Sequence, residues 1–287
     1  MGNGPAGHVA RSTVRPNSET AGGAPFRTFL HTDDGVRIDF VYDPGPLVHD
    51  ASRPPSGDLV FVVAHGFTGD ADRPHVRRVV DVLTRYGAVV TFSFRGHGAS
   101  GGRSTVGDRE VLDLAAAVRR ARGLGHARVV TVGFSMGGSV VLRHAALYRP
   151  DGPASPDART DAVVSVSAPA RWYYRGTAPM RKLHWMVTRP AGRAVGRYGF
   201  RTRIHHRGWD PVPMSPVQAV PLIAPTPLLI VHGDRDGYFP LDHPRTLAEA
   251  SGEHAELWLE PGMGHAENAA GDELLARIGD WARARGG

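Results

Sequence analysis

Gly133-Phe134-Ser135-Met136-Gly137 stands directly behind the apolar run 127–132 and directly ahead of a helix-like stretch, 138–148. A serine in this G-x-S-x-G frame rides a sharp strand-to-helix turn that lifts its hydroxyl clear of a sheet edge. Side chains at the flanking glycines would collide where the backbone folds back so tightly. The strand before the motif and the helix after it are what separate it from a chance match.

Working outward, 26–30 and 36–42 flank Asp33-Asp34-Gly35 and predict a hairpin, followed by a Pro-rich loop over 43–58. Apolar runs then alternate with amphipathic stretches. Strands are expected at Leu59–Ala64, 88–94, 162–167, 228–232 and 255–259, and helices at 75–86, 108–123, 241–250 and 272–285. That alternation predicts an α/β fold with a mostly parallel central sheet flanked by helices. Residues 169–220 break the rhythm and are too long for a simple connection. They are expected to form a short cap or lid insertion over the C-terminal edge of the sheet, where ligands of open α/β sheets bind.

Composition narrows the chemistry. The 287 residues include no cysteine, which removes disulfides, thiolate zinc sites and cysteine nucleophiles. No run is long enough to span a membrane. Residues 1–25 are polar and Gly/Pro-rich with no apolar signal core, so they are expected to be a disordered tail on a cytoplasmic protein, with 26–287 as the folded domain. The net charge of +6 is concentrated: residues 171–210 hold ten basic residues and one acid. Lys182 is the sole lysine, an Arg bias that resembles a GC-rich codon habit, but the local lack of acids is a separate fact.

Acyl transfer by serine needs a base, a group that orients the base, and donors for the oxyanion. Candidates fall at the expected strand ends in the order Ser135, Asp236, His265, with His65-Gly66-Phe67 closing the earliest central strand. Asp234 rivals Asp236, although spacing to Pro240 favours the latter. His254 rivals His265, but it precedes its strand and would lie at the wrong end. His65 and His97 read as structural loop residues. Gly96-His97-Gly98-Ala99-Ser100-Gly101 matches G-x-G-x-x-G without opening a helix, so a nucleotide site is rejected. Asp234-Arg235-Asp236 and His205-His206 are too short to argue for metal. No metal and no cofactor are expected.

His65-Gly66-Phe67, Arg95-Gly96-His97-Gly98-Ala99-Ser100, His232-Gly233-Asp234-Arg235-Asp236 with Pro240, and Gly264-His265 together resemble the α/β-hydrolase superfamily. The likeness is to its serine esterase, lysophospholipase and monoacylglycerol lipase members, over about residues 26–285. The resemblance implies that Ser135 is the nucleophile, Asp236 the acid and His265 the base, with the N–H groups of Phe67 and Met136 as oxyanion hole. It implies a carboxylic ester or thioester hydrolase working through an acyl-enzyme on a small-molecule or lipid-like substrate. A serine nucleophile argues against the dehalogenase and epoxide-hydrolase members, which use Asp. Ser93 departs from the pattern, since relatives often carry Asp there.

Trp172, Tyr173 and Trp185 are the expected substrate contacts within the insertion; the alternative is that its aromatics simply pack it onto the sheet. The basic residues there suit an anionic substrate or a peripheral anionic membrane contact. No nucleic-acid motif accompanies the charge, and nothing in the sequence sets an oligomeric state. The same triad used for C–C cleavage or acyl transfer, and a ligand-binding receptor on a hydrolase scaffold, are the other readings.

Overall fold

Leu59–Ala64 is buried at every position, and its side chains divide between two separate hydrophobic cores. The computed structural model describes residues 24–45, 58–149, 152 and 156–285. The expected tail, apart from its last two residues, and most of the Pro-rich loop therefore lie outside the described residues.

Among the described residues eight strands form one sheet: β1 (Phe26–His31), β2 (Arg37–Asp43), β3 (Leu59–Ala64), β4 (Ala88–Phe92), β5 (Arg128–Phe134), β6 (Ala162–Val166), β7 (Leu228–Gly233) and β8 (Ala255–Glu260). Their order is β1-β2-β4-β3-β5-β6-β7-β8. β1 and β2 pair antiparallel, β2 joins β4 antiparallel, and every later pairing is parallel. The hairpin forms as expected: Thr32 N–H donates to Val36 O at 3.0 Å, and Gly35 takes φ 77°. β4, β6 and β7 are buried along their whole length, as strands covered on both faces must be, whereas edge strand β1 alternates.

The helices are α1 (Pro74–Leu83), α2 (Glu110–Gly123), α3 (Met136–Leu147), α4 (Ala178–Thr188), α5 (Pro190–Gly199), α6 (Pro216–Ala219), α7 (Asp242–Ser251), α8 (Ala266–Ala269) and α9 (Asp272–Ala284). One face of the sheet packs Val60, Val62 and Ala64 against α2, α3 and α7; the other packs Leu59, Phe61 and Val63 against α1 and α9. This period-2 division of β3 puts it at the centre, with the turn over residues 133–137 at the end of its neighbour β5.

The segment between β6 and β7 holds more regular structure than its sequence suggested. α4 and α5 form a helical hairpin that shares Arg189, the C-cap of one and the N-cap of the next. No apolar period marked α5 because its buried positions are Gly192 and Gly196. A Cβ on Gly192 would meet Trp185 O at 2.4 Å, so glycine is what lets the helices cross this closely. Backbone bonds from Arg203 N–H to Gly96 O and from Ser104 N–H to Arg203 O tie the segment's end to the loop after β4.

Candidate active site

β5 ends where α3 begins, and Ser135 makes the turn between them with φ 52° and ψ −112°. A side chain at either flanking glycine is impossible there. A Cβ on Gly133 would come within 2.2 Å of Gly137 O, and one on Gly137 within 2.1 Å of Ala64 O. Ser135 N–H donates to Val166 O at 2.9 Å, which pins the strained turn to β6. The hydroxyl is left at the C-terminal edge of the sheet beside the first N–H groups of α3, which have no intrahelical partner.

His265, brought from the loop after β8, stands with Nε2 2.9 Å from Ser135 Oγ and Nδ1 2.8 Å from Asp236 Oδ2. An ionised carboxylate only accepts, so Nδ1 carries the proton and Nε2 is free to accept from the serine hydroxyl. The side chain of Asp236 is fully buried; Oδ1 accepts the N–H groups of Tyr238 at 2.8 Å and Phe239 at 3.1 Å. Burial alone would raise its pKa, but the hydrogen bond and charge of His265, the Phe239 N–H and nearby His232 outweigh it, and the carboxyl sits below its ordinary value. Tyr238 stacks on the His265 ring at 4.2 Å. Ser167 Oγ accepts the N–H of Ala266 at 3.1 Å, fixing the φ 54° turn that aims the histidine.

The rivals are engaged elsewhere. Asp234 Oδ1 accepts Gly262 N–H at 2.7 Å, bracing the loop that leads to His265. His254 lies at the opening of β8 and bonds Thr226 O.

The loop after β3 spends nearly all its polar groups on itself and its surroundings. Gly66 N–H donates to Glu267 Oε1 at 2.8 Å, Thr68 N–H to His97 Nε2 at 3.4 Å, and Gly69 N–H to Gly66 O at 3.0 Å. Gly66 O also takes His65 Nδ1–H at 2.7 Å, while His65 Nε2 accepts Phe94 N–H at 3.0 Å. The N–H of Phe67 between them has no acceptor among the described residues. His65 and His97 are thus loop supports, and burial lowers their pKa values to about 3 and about 4, keeping both neutral.

Two further groups escaped sequence reasoning. Glu267, two positions past His265, is buried beneath Gly66. Asp39 of β2 is fully buried beside Ser93, whose Oγ donates to Asp39 Oδ2 at 3.2 Å; Arg27 grips the same carboxylate at 2.7 and 2.6 Å. The acid expected near position 93 is therefore supplied in space from another strand. Arg95 itself is held by Asp113 and Asp34 at 2.7–3.0 Å.

Ser135 sits where two cavities of about 200 and 840 Å³ meet, with Phe67, Met180, Leu183 and Phe239 as the wall they share. Trp172 and Tyr173 line the smaller cavity, and Trp185 the larger. His265 and Glu267 line only the larger. Trp209, not singled out by sequence, completes the smaller wall, packing on Trp172 at 5.1 Å and Tyr173 at 5.4 Å. Among the described residues there is no cluster of metal-ligating side chains, and no helix is long and apolar enough to cross a membrane.

Residues 59–277 match the model of the alpha/beta hydrolase family. The chain is 30% identical over 260 residues to a monoacylglycerol lipase of Mycolicibacterium smegmatis, covering 80% of this chain and 86% of that protein. Among solved structures, an esterase of Pyrococcus furiosus is similar with a TM-score of 0.66 at 22% identity, covering 92% of this chain and 93% of the other. An alpha/beta hydrolase from Penicillium sp. sh18 matches with a TM-score of 0.65 at 17% identity, covering 91% and 99%. Sequence motifs, sheet order and the Ser135–His265–Asp236 geometry converge on one assignment: the chain belongs to the alpha/beta hydrolase family, as an esterase- and lipase-like member.

Proposed function

We infer that this protein hydrolyses carboxylic esters by a serine nucleophile and an acyl-enzyme intermediate. The observation that carries the reading is the continuous hydrogen-bonded line from Ser135 through His265 to Asp236, at 2.9 and 2.8 Å. Ser135 Oγ attacks the acyl carbon as His265 Nε2 takes its proton, and Asp236 holds the ring in the right tautomer and stabilises the imidazolium. The N–H groups of Phe67 and Met136 receive the oxyanion, each worth about 3–4 kcal/mol. The His265 proton then passes to the leaving alcohol, and water repeats the sequence to free the acid.

The leaving oxygen must lie within reach of Nε2, so the alcohol occupies the larger cavity, which His265 lines. The acyl chain then enters the smaller, aromatic-walled one. A cavity of about 200 Å³ suits short and medium acyl chains. The relative's name, monoacylglycerol lipase, points to a lipid-type ester with a small polyhydroxyl alcohol as the substrate class.

The test is fluorophosphonate labelling of wild type and Ser135→Ala, beside turnover of p-nitrophenyl esters of graded chain length and of monoacylglycerols. Labelling and turnover lost together in the variant is the expected result, with Trp172→Ala shifting the optimum to longer chains. A folded wild type that neither labels nor turns over any ester rules the reading out.

A further inference from the structure

We propose that the outward face of the α4–α5 hairpin is a docking surface for an anionic lipid bilayer. The exposed positions of α4 include Arg181, Lys182, Trp185 and Thr188, spaced as one helical stripe, with Arg189 at the corner. On α5 they include Ala191, Ala194, Val195 and Tyr198, another single stripe, continued by Phe200 and Arg201. A helix laid on a protein core hides its apolar stripe and shows its polar one. Here apolar and aromatic groups face outward: Tyr198 is 79% exposed, Trp185 47%, Val195 45% and Phe200 43%. Large rings with a polar tip are the side chains that settle where lipid meets water.

The charge on this face has one sign. Of the ten basic residues in 171–210, only Arg171 has a carboxylate partner among the described residues, Asp242 at 2.7 Å. Arg197 lies over the ring of Tyr198 at 5.6 Å, placing a cation and an interfacial aromatic in one patch. Cations interleaved with exposed apolar groups, on paired helices with no acid between them, fit an interfacial helix on anionic lipid. An acidic protein would satisfy the charges while leaving the scattered rings without a groove to fill.

The position gives the contact a use. Trp185, Val195 and Phe200 also line the larger cavity, which reaches Ser135. A bilayer against this face would sit at the rim of that cavity, so an ester could pass from lipid to Ser135 without crossing bulk water.

The experiment is vesicle co-sedimentation with phosphatidylcholine alone and with phosphatidylcholine mixed with phosphatidylglycerol. It uses wild type, Tyr198→Ser, and the triple variant Arg181→Glu/Arg189→Glu/Arg197→Glu. Dextran sulfate binding and p-nitrophenyl acetate turnover are measured alongside. Wild type should partition onto the anionic vesicles roughly tenfold or more over the neutral ones. The triple variant should lose that preference, and Tyr198→Ser should weaken vesicle binding several-fold while leaving dextran sulfate binding unchanged. Both variants should keep wild-type turnover of the soluble ester, which shows that they are folded. Equal partition onto both vesicle types, or anionic binding that the triple variant retains, overturns the proposal. Tyr198→Ser binding lipid as wild type does also overturns it, in favour of a surface that reads polyanions alone. Loss of all ester turnover in wild type would count against the hydrolytic reading and leaves the vesicle measurement independent.

Discussion

Glu267 accepts the main-chain N–H of Gly66 at 2.8 Å, so the loop that delivers His265 also clamps the loop that presents Phe67. A Cβ on Gly66 would stand 3.0 Å from the same carboxylate oxygen, so the contact is close as well as directional. Glu267→Gln keeps an acceptor at that point and should hold kcat within a few-fold. Glu267→Ala frees the peptide beside the proposed oxyanion donor, Phe67, and should lower kcat by about 10- to 100-fold with KM little changed. Steady-state kinetics of the pair check this; equal activity in both variants would show that the clamp does not position Phe67.

The two aspartates of the loop after β7 should separate cleanly. Asp236→Asn leaves His265 without an anionic partner and should reduce kcat on the order of 10³- to 10⁴-fold, the scale seen when a triad acid is neutralised. Asp234→Ala removes only the acceptor for Gly262 N–H. It should leave kcat within about threefold and lower the melting temperature by a few degrees. Parallel kinetics and thermal unfolding read both effects.

Four buried histidines make acid a destabiliser well above carboxylate range. Burial lowers His65 and His144 to about 3, and His97 and His243 to about 4. Their unfolded value is near 6.5, so as pH falls below that point the unfolded chain binds protons that the folded chain refuses. Stability is therefore full above about 6.5 and declines toward 4, by about 1 kcal/mol per pH unit for each group. Among the described residues His144 has no hydrogen-bond partner on either nitrogen, and it stacks on Tyr148 at 4.6 Å. His144→Phe should make the pH dependence of the melting temperature shallower below pH 6 while changing it little at pH 8.

Strain at Ser135 predicts a trade between activity and stability. A φ of 52° with ψ −112° is a conformation that side chains rarely adopt. Ser135→Gly should abolish turnover yet raise stability by about 1 kcal/mol, the relieved strain exceeding the glycine's unfolded-state entropy. Denaturant unfolding of wild type, Ser135→Gly and Ser135→Ala tests this; only the glycine variant should gain.

Much of this molecule was readable before any coordinates. Leu59–Ala64 was bounded to the residue, because a strand buried on both faces is an unbroken apolar run with polar punctuation. The turn over residues 133–137 was readable because its steric demands permit only glycine on either side of Ser135. The α4–α5 hairpin was not: glycines at its buried positions and aromatics on its exposed face invert the pattern on which periodicity depends. Asp39 and Glu267 were invisible for another reason. Each acts on a partner far along the chain, and a lone acid in a strand or helix carries no local mark of what it will meet.

By itself, the sequence determined the sheet, its helical cover, and the order Ser135, Asp236, His265 at three strand ends, since these follow from local periodicity and backbone sterics. Only tertiary structure decided that His265 lies 2.9 Å from Ser135, that Phe67 keeps an N–H unspent among the described residues, and that two cavities meet at the serine. Those features arise where loops from distant strand ends converge. Their geometry depends on contacts between residues 29 to 201 positions apart, which no local pattern encodes.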